Sequence, residues 1–257
     1  MSHQQLVRDE FSRQAEAMAN APAFSAEAIM DRFKEAIAPK KSGVMLDLAC
    51  GPGILLAGLA SSMKLNVGVD ITPKMIQMAH AKCLSANLLN TRFLESPAEN
   101  LPFPSAAFDC VLTRLTLHHF LEPIRVLREV KRILKPDGIL VIADLISSED
   151  LTETRIHNAL EQLRDPSHIR MLPQSELLNV VNDAGFRVIS TDHWLQGRQF
   201  SEWAAIVENA RSLKSLEVVM KTIAASGLTA GVNLRASSDS VEFIHHWMFI
   251  VARPASS

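Results

Sequence analysis

Leu46-Asp47-Leu48-Ala49-Cys50-Gly51-Pro52-Gly53 is the stretch from which the fold can be read. An apolar run ends in an acid, a small residue and a glycine turn, and a helical pattern begins at once at Ile54. A strand, a Gly-rich turn and a helix in that order build a concave nest of backbone N–H groups at a helix N-terminus. A second strand-like run, Leu65-Asn66-Val67-Gly68-Val69, ends in Asp70. That acid falls beside whatever the first turn holds, where a carboxylate can accept both hydroxyls of a ribose. Together the two features point to a ligand containing a nucleoside.

A dinucleotide is a poor fit. Its fingerprint, G-x-G-x-x-G, would need glycine where Leu56 stands, and Gly58 comes too late. Asp47 inside the turn would repel a pyrophosphate but suits a ligand bearing an ammonium and a sulfonium. Further along come Ala98-Glu99-Asn100-Leu101-Pro102-Phe103 and Phe108-Asp109, then Thr113 to Phe120, and Leu127-Arg128-Glu129-Val130 through Leu134-Lys135-Pro136-Asp137-Gly138. In order and spacing these segments resemble the class I S-adenosylmethionine-dependent methyltransferases, in particular the quinone-biosynthesis and related small-molecule branch. The resemblance covers Val44 to Leu145.

Periodicity predicts strands at 44–49, 65–69, 91–95, 108–113 and 139–145, with helices from Ile54, from Pro73 behind Thr72, and from Pro123. This βαβα order implies an α/β, doubly wound, mostly parallel sheet covered by helices on both faces. Helices at 151–164 and 174–184, a strand at 186–192, helices at 200–211 and 214–225 and an apolar strand at 244–252 complete the chain. The resemblance implies seven strands in a Rossmann-like methyltransferase fold, the last two forming a reversed hairpin. Residues 1–41 read as helical, with Ser25 placed to cap a helix carrying Ile29, Met30, Phe33 and Ile37. The expected organisation is an N-terminal helical lid segment, 1–41, and a cofactor-binding domain, 42–257, with a helical insertion around 197–238.

Composition narrows the partners. A formal net charge of −2 over 257 residues, without a basic cluster, gives no electrostatic footprint for nucleic acid. No apolar run approaches the roughly 20 residues of a membrane span. Cys50, Cys83 and Cys110 are scattered without metal or disulfide spacing, which fits a reduced cytoplasm. The chain has no tyrosine, so no phenol base is available. No metal site is expected, and oligomeric state is left open.

The resemblance implies S-adenosyl-L-methionine as cofactor and S-adenosyl-L-homocysteine as product, with contacts from Asp47, Ala49, Gly51, Gly53, Asp70, Ile71, Met75, Ala98, Glu99, Arg114 and Leu115. In the family the acid at Asp47 orients the loop and favours the cofactor's positive charge; the alternative readings are a structural cap for Asp47, a core position for Met75 and a surface ion pair for Arg114. Where this branch has an acid before Ala98, this chain has Pro97, leaving the adenine amino group to a backbone group near Ala98, to Glu99, or to nothing. A sulfonium methyl is already activated, so alignment alone can supply about 7–11 kcal/mol of barrier reduction. If a base is used, His119, His118 and His168 are the candidates; packing and turn roles are the alternatives. The predicted lid segments carry Trp194, Leu195, Phe200, Trp203, Ile206 and Met220, which favours a small apolar or aromatic substrate, with packing of the lid itself as the alternative reading. The expected reaction is methyl transfer by in-line displacement. The alternatives are a fold relative that keeps the cofactor for a cyclisation or rearrangement, and a non-catalytic cofactor-binding protein.

Overall fold

Sheet residues alternate between two cores, as a strand period of two requires. In the computed structural model, which describes residues 1–20, 27–207, 210–237 and 240–255, the strands are β1 (Val44–Leu48), β2 (Leu65–Asp70), β3 (Thr91–Glu95), β4 (Phe108–Arg114), β5 (Leu134–Ile146), β6 (Phe186–Gln199), β7 (Arg235–Ala236) and β8 (Val241–Pro254). Leu46, Leu48, Val111, Leu140 and Ile142 face one core, and Met45, Cys110, Leu112, Ile139 and Val141 the other. The sheet order is β3-β2-β1-β4-β5-β8-β6, with β7 paired to β8. Pairings among β1 to β5 are parallel, and β8 is antiparallel to both β5 and β6. The doubly wound sheet with a reversed final hairpin is therefore as expected, with β7 as an extra two-residue strand.

The helices are α1 (His3–Asn20), α2 (Glu27–Ile37), α3 (Ile54–Leu59), α4 (Pro73–Ser85), α5 (Pro123–Ile133), α6 (Leu151–Arg164), α7 (Gln174–Asp183), α8 (Phe200–Ala204) and α9 (Ala210–Ala225). Val126, Leu127, Val130 and Ile133 of α5 join Leu177 and Val181 of α7 on one face. Phe33 and Ile37 of α2 join Leu55, Leu56 and Leu59 of α3 on the other. Burying each such apolar side chain is worth about 1.5–3 kcal/mol. A third cluster joins Leu160 of α6 to Phe200, Trp203, Leu216, Met220, Val241 and Phe243, so the segment between β6 and β8 packs on α6 with a core of its own.

Local differences from the sequence reading have physical causes. β6 continues to Gln199 because backbone pairing with β8 runs on to Gln199↔Glu242; its second half alternates exposed with half-buried or buried residues, so no apolar run marks it. The helix expected over 200–211 ends at Ala204. Thr72 precedes α4 as expected, but its side chain makes no cap bond. Asp70 Oδ1 accepts the Thr72 N–H instead, at 2.8 Å. Asp150 caps α6, accepting from Thr152 and Glu153 N–H. The cap expected at Ser25 lies outside the described residues. Among the described residues no helix is long and apolar enough to cross a membrane.

Candidate active site

The carboxyl ends of β1, β2, β4 and β5 open onto three adjoining cavities, where open α/β sheets bind their ligands. The glycine-loop cavity, about 640 Å³ with its mouth, is lined by Asp47, Ala49, Cys50, Gly51, Asp70, Arg114 and Leu115 among others. The β2–β3 cavity, about 550 Å³, has Asp70, Ile71, Ser96, Ala98 and Glu99 in its wall, with His3, Gln4 and Val7 of α1 opposite. The histidine cavity, about 700 Å³, includes His118, His119, His168, Leu115, Glu161 and Arg198. Asp70 is common to the first two; His119 and Phe11 line all three.

The backbone turns sharply where these cavities meet. Ala49 (φ 55°), Gly51 (φ 51°) and Gly53 (φ 75°) follow β1, and Leu115 (φ 54°) follows β4, all left-handed. Ala49 and Leu115 hold that conformation despite a Cβ, the kind of local strain that gathers at ligand sites. Gly51 has open space around it, whereas a Cβ on Gly53 would meet Ala79 Cβ at 2.8 Å. Gly53 is thus required for the approach of α4 and does not line the cavities. Met75 is also buried away from their walls.

Two buried acids dominate the glycine-loop cavity. Asp70 Oδ2 accepts the Gly51 N–H at 2.9 Å while Oδ1 holds Thr72. Burial raises its pKa against these bonds. Burial lifts Asp47 to about 7, helped by the charge of Asp70 and opposed by the Leu56 N–H and Arg114. Asp47 Oδ2 is buried without a partner. Burial also lowers Arg114 to about 10 and pushes the Cys50 thiol well up, so Cys50 is no thiolate nucleophile. In the β2–β3 cavity, Gln4 Nε2 donates to Glu99 Oε2 at 3.4 Å.

Three imidazoles meet in the histidine cavity. His118 and His119 have ring centroids 4.4 Å apart, and His118 and His168 5.4 Å. His118 Nδ1 lies 2.6 Å from Asp144 Oδ1. Asp144 also accepts from the N–H groups of Thr116, Leu117 and Leu145. Burial opposes the charge on His118, but Asp144, together with the charges of Glu161 and Asp165, outweighs it and raises the pKa. His119 Nδ1 contacts the Ser167 carbonyl at 3.1 Å, and His168 Nε2 contacts Asn158 Oδ1 at 2.8 Å. Both partners are acceptors, so each of those nitrogens carries a proton. Burial brings His119 down to about 4 and His168 to about 3, neutral near pH 7.

Several wall residues escaped the sequence reading. Phe11 of α1 packs edge-to-face on His119 at 4.9 Å, Gln14 Nε2 donates to Asp165 Oδ2, and His3 Nε2 donates to the His119 carbonyl. Of the predicted lid aromatics, Trp203 lines the histidine cavity; Trp194 stacks on Trp247. A buried group also forms where no metal spacing was expected: His157, Glu161 and His245 offer ligand atoms within 4.8 Å of one another. Arg164 already pairs with the other oxygen of that carboxylate. The i,i+4 spacing of His157 and Glu161 on α6 was the signal available in the sequence.

A methyltransferase-domain profile matches residues 46–142. YafE of Escherichia coli is 31% identical over 156 residues, 61% of this chain and 75% of its own length. The chain belongs to the class I S-adenosylmethionine-dependent methyltransferases. The methyltransferase YcgJ of Bacillus subtilis is 31% identical over 159 residues, 62% of this chain, and the match spans 63% of YcgJ. The crystal structure of YcgJ has the same fold, with a TM-score of 0.81 and 24% identity over 90% of this chain and all of that one. The [4+2]-cyclase SpnF shares the fold more distantly, with a TM-score of 0.58 and 20% identity over 88% of this chain and 81% of that one. S-adenosylmethionine is the cofactor of this methyltransferase family, and the site suits it: the unpartnered oxygen of Asp47 and the buried charge of Asp70 face a cavity that favours a cationic ligand.

Proposed function

We propose that this methyltransferase transfers the methyl group of S-adenosylmethionine to a small, aromatic-faced molecule seated in the histidine cavity. The observation that carries the reading is the shared wall: Leu115 and His119 line both the glycine-loop cavity and the histidine cavity. Asp70 would take the ribose, placed as it is between two cavities. The glycine-loop cavity would take the methionine part, with Asp47 favouring its positive charge. Ile71, Ala98 and Glu99 would flank adenine, with Gln4 closing over them. Bound there, the cofactor supplies an already activated methyl group. The protein's own work is alignment, exclusion of water and, for a protic acceptor, proton removal. His118, oriented through Nδ1 by Asp144, is the candidate base.

Residues 1–41 act in this reading as the lid segment and 42–257 as the domain beneath it. Among the described residues, α1 contributes Phe11 to all three cavities. Its ion pairs Arg8–Glu95 and Lys74–Glu16 are partly exposed, and such pairs are individually weak. They suit an element that opens and closes. Free, buried cysteines accord with a cytoplasmic setting.

The test is a substrate screen with S-adenosylmethionine labelled in the methyl group, read by mass spectrometry. Methyl transfer gives a product heavier by the labelled methyl, with S-adenosylhomocysteine in equal amount. A rearranged product of unchanged mass, with cofactor intact, would replace this reading by the non-methylating one.

A further inference from the structure

The histidine cavity is lined with charge, and all but one of its acids and guanidinium groups have partners close by. Glu161 is held by Arg164 at 3.1 Å and by His245 at 3.2 Å. Asp165 accepts from the Ser167 N–H and Oγ and from Gln14. Arg198 is the exception. It is only 8% exposed, its Nε is buried without a partner, and its guanidinium makes no hydrogen bond or ion pair among the described residues. Glu202 and Glu161 support its charge only at longer range, and burial lowers its pKa. A buried cation with unfilled donors is costly unless a ligand fills them.

Its position says what kind of ligand. Arg198 lies on β6 opposite Phe243 of β8, two residues from Gln196, and Gln196 pairs with His245. This end of the hairpin walls the histidine cavity but not the glycine-loop cavity. Trp203 and Trp247 also line the histidine cavity. We propose that Arg198 anchors a carboxylate of the acceptor molecule, fixing the substrate class as an aromatic acid whose anionic end is turned away from the cofactor. The inference rests on the methyl-acceptor reading of this cavity. The planar guanidinium fork matches two carboxylate oxygens. A phosphate dianion would bring a second negative charge towards Glu161 and Asp165, with no second unpaired cation to balance it.

Titration of the full chain with benzoate and cinnamate, with the neutral benzamide and cinnamamide, and with phenyl phosphate, tests this by tryptophan fluorescence. Each titration is run with and without S-adenosylhomocysteine. The expected result is that the acids bind at least about tenfold more tightly than their amides, as a charge-assisted contact allows. Arg198→Gln should abolish the preference while leaving S-adenosylhomocysteine affinity unchanged, and Arg198→Lys should restore part of it. Equal binding of acids and amides, no binding of acids, a preference surviving Arg198→Gln, or tighter binding of phenyl phosphate would overturn the proposal. S-adenosylhomocysteine binding reports separately on the cofactor site. If it fails while the acid preference holds, the methyl-transfer reading falls and the anion site stands; the reverse result removes only the anion site.

Discussion

His118 Nδ1 lies 2.6 Å from Asp144 Oδ1, and both side chains are buried beneath the histidine cavity. The pair holds the imidazole in one tautomer and favours its protonated form. The sign follows: His118 is charged at low pH, and its base form grows as pH rises through a pKa above 6.5. Activity, kcat/KM, should rise with pH through that raised value. Asp144→Asn leaves burial opposed only by the charges of Glu161 and Asp165, so the rising limb should move to lower pH while kcat falls by about a hundredfold or more. The cofactor Kd should stay nearly constant. An unmoved limb in the pH–rate profile would remove His118 as the base.

The same pair bears on stability. His118, with its raised pKa, contributes stability that is fully present below its unfolded pKa and lost as pH rises through the folded value. Asp144 has a lowered pKa and contributes above its unfolded value, losing this as pH falls through the folded one. Thermal unfolding of the wild type against Asp144→Asn should show the largest difference between those two limits.

Asp47 works in the opposite direction to Asp144. Its pKa is raised to about 7, so folding favours its protonated form and the apo protein loses that advantage as pH rises from about 4 to 7. A cationic cofactor beside it should draw the pKa down and release a proton. Calorimetry at pH 6 in buffers of different ionisation enthalpy should therefore reveal proton release on binding, absent in Asp47→Asn. That variant should also raise the melting temperature of the apo protein at pH 8.

Asp70 holds the turn together as well as facing two cavities. Asp70→Ala should weaken S-adenosylmethionine binding by about tenfold or more, since charge-assisted bonds are worth about 1.5–3 kcal/mol each. It should also lower the melting temperature, because Gly51 and Thr72 lose their acceptor. Unchanged affinity in a folded variant would remove Asp70 from the cofactor site.

If α1 is a lid, its amides should exchange faster than those of β1 and β4 and slow markedly when S-adenosylhomocysteine binds. Phe11→Ala removes the ring that packs on His119. Its expected effect is a several-fold rise in both cofactor Kd and substrate KM. Hydrogen exchange indifferent to the ligand would make α1 a fixed wall.

The parallel sheet was legible because β1, β2, β4 and β5 are largely buried on both faces and appear as apolar runs, with Pro73 and Pro123 marking the starts of α4 and α5. Gly51 and Asp70 could be placed because a turn and a strand end are local features. The rest depends on distant chain segments. Phe11 and Gln14 reach the cavities from a helix whose sequence carries no ligand motif. Arg198 sits in a stretch of β6 whose inward positions are polar, so no apolar alternation marks it as strand. The role of Gly53 was visible only once α4 brought Ala79 against it. His118 owes its raised pKa chiefly to Asp144, 26 residues away on the neighbouring strand.

The most direct measurement is calorimetric titration with S-adenosylmethionine, S-adenosylhomocysteine and NAD⁺. The account expects the two adenosyl ligands to bind at one site per chain and NAD⁺ not to bind. Failure of both adenosyl ligands to bind would contradict it, because the two acids, the glycine turn and the shared cavity wall would then have lost their common purpose.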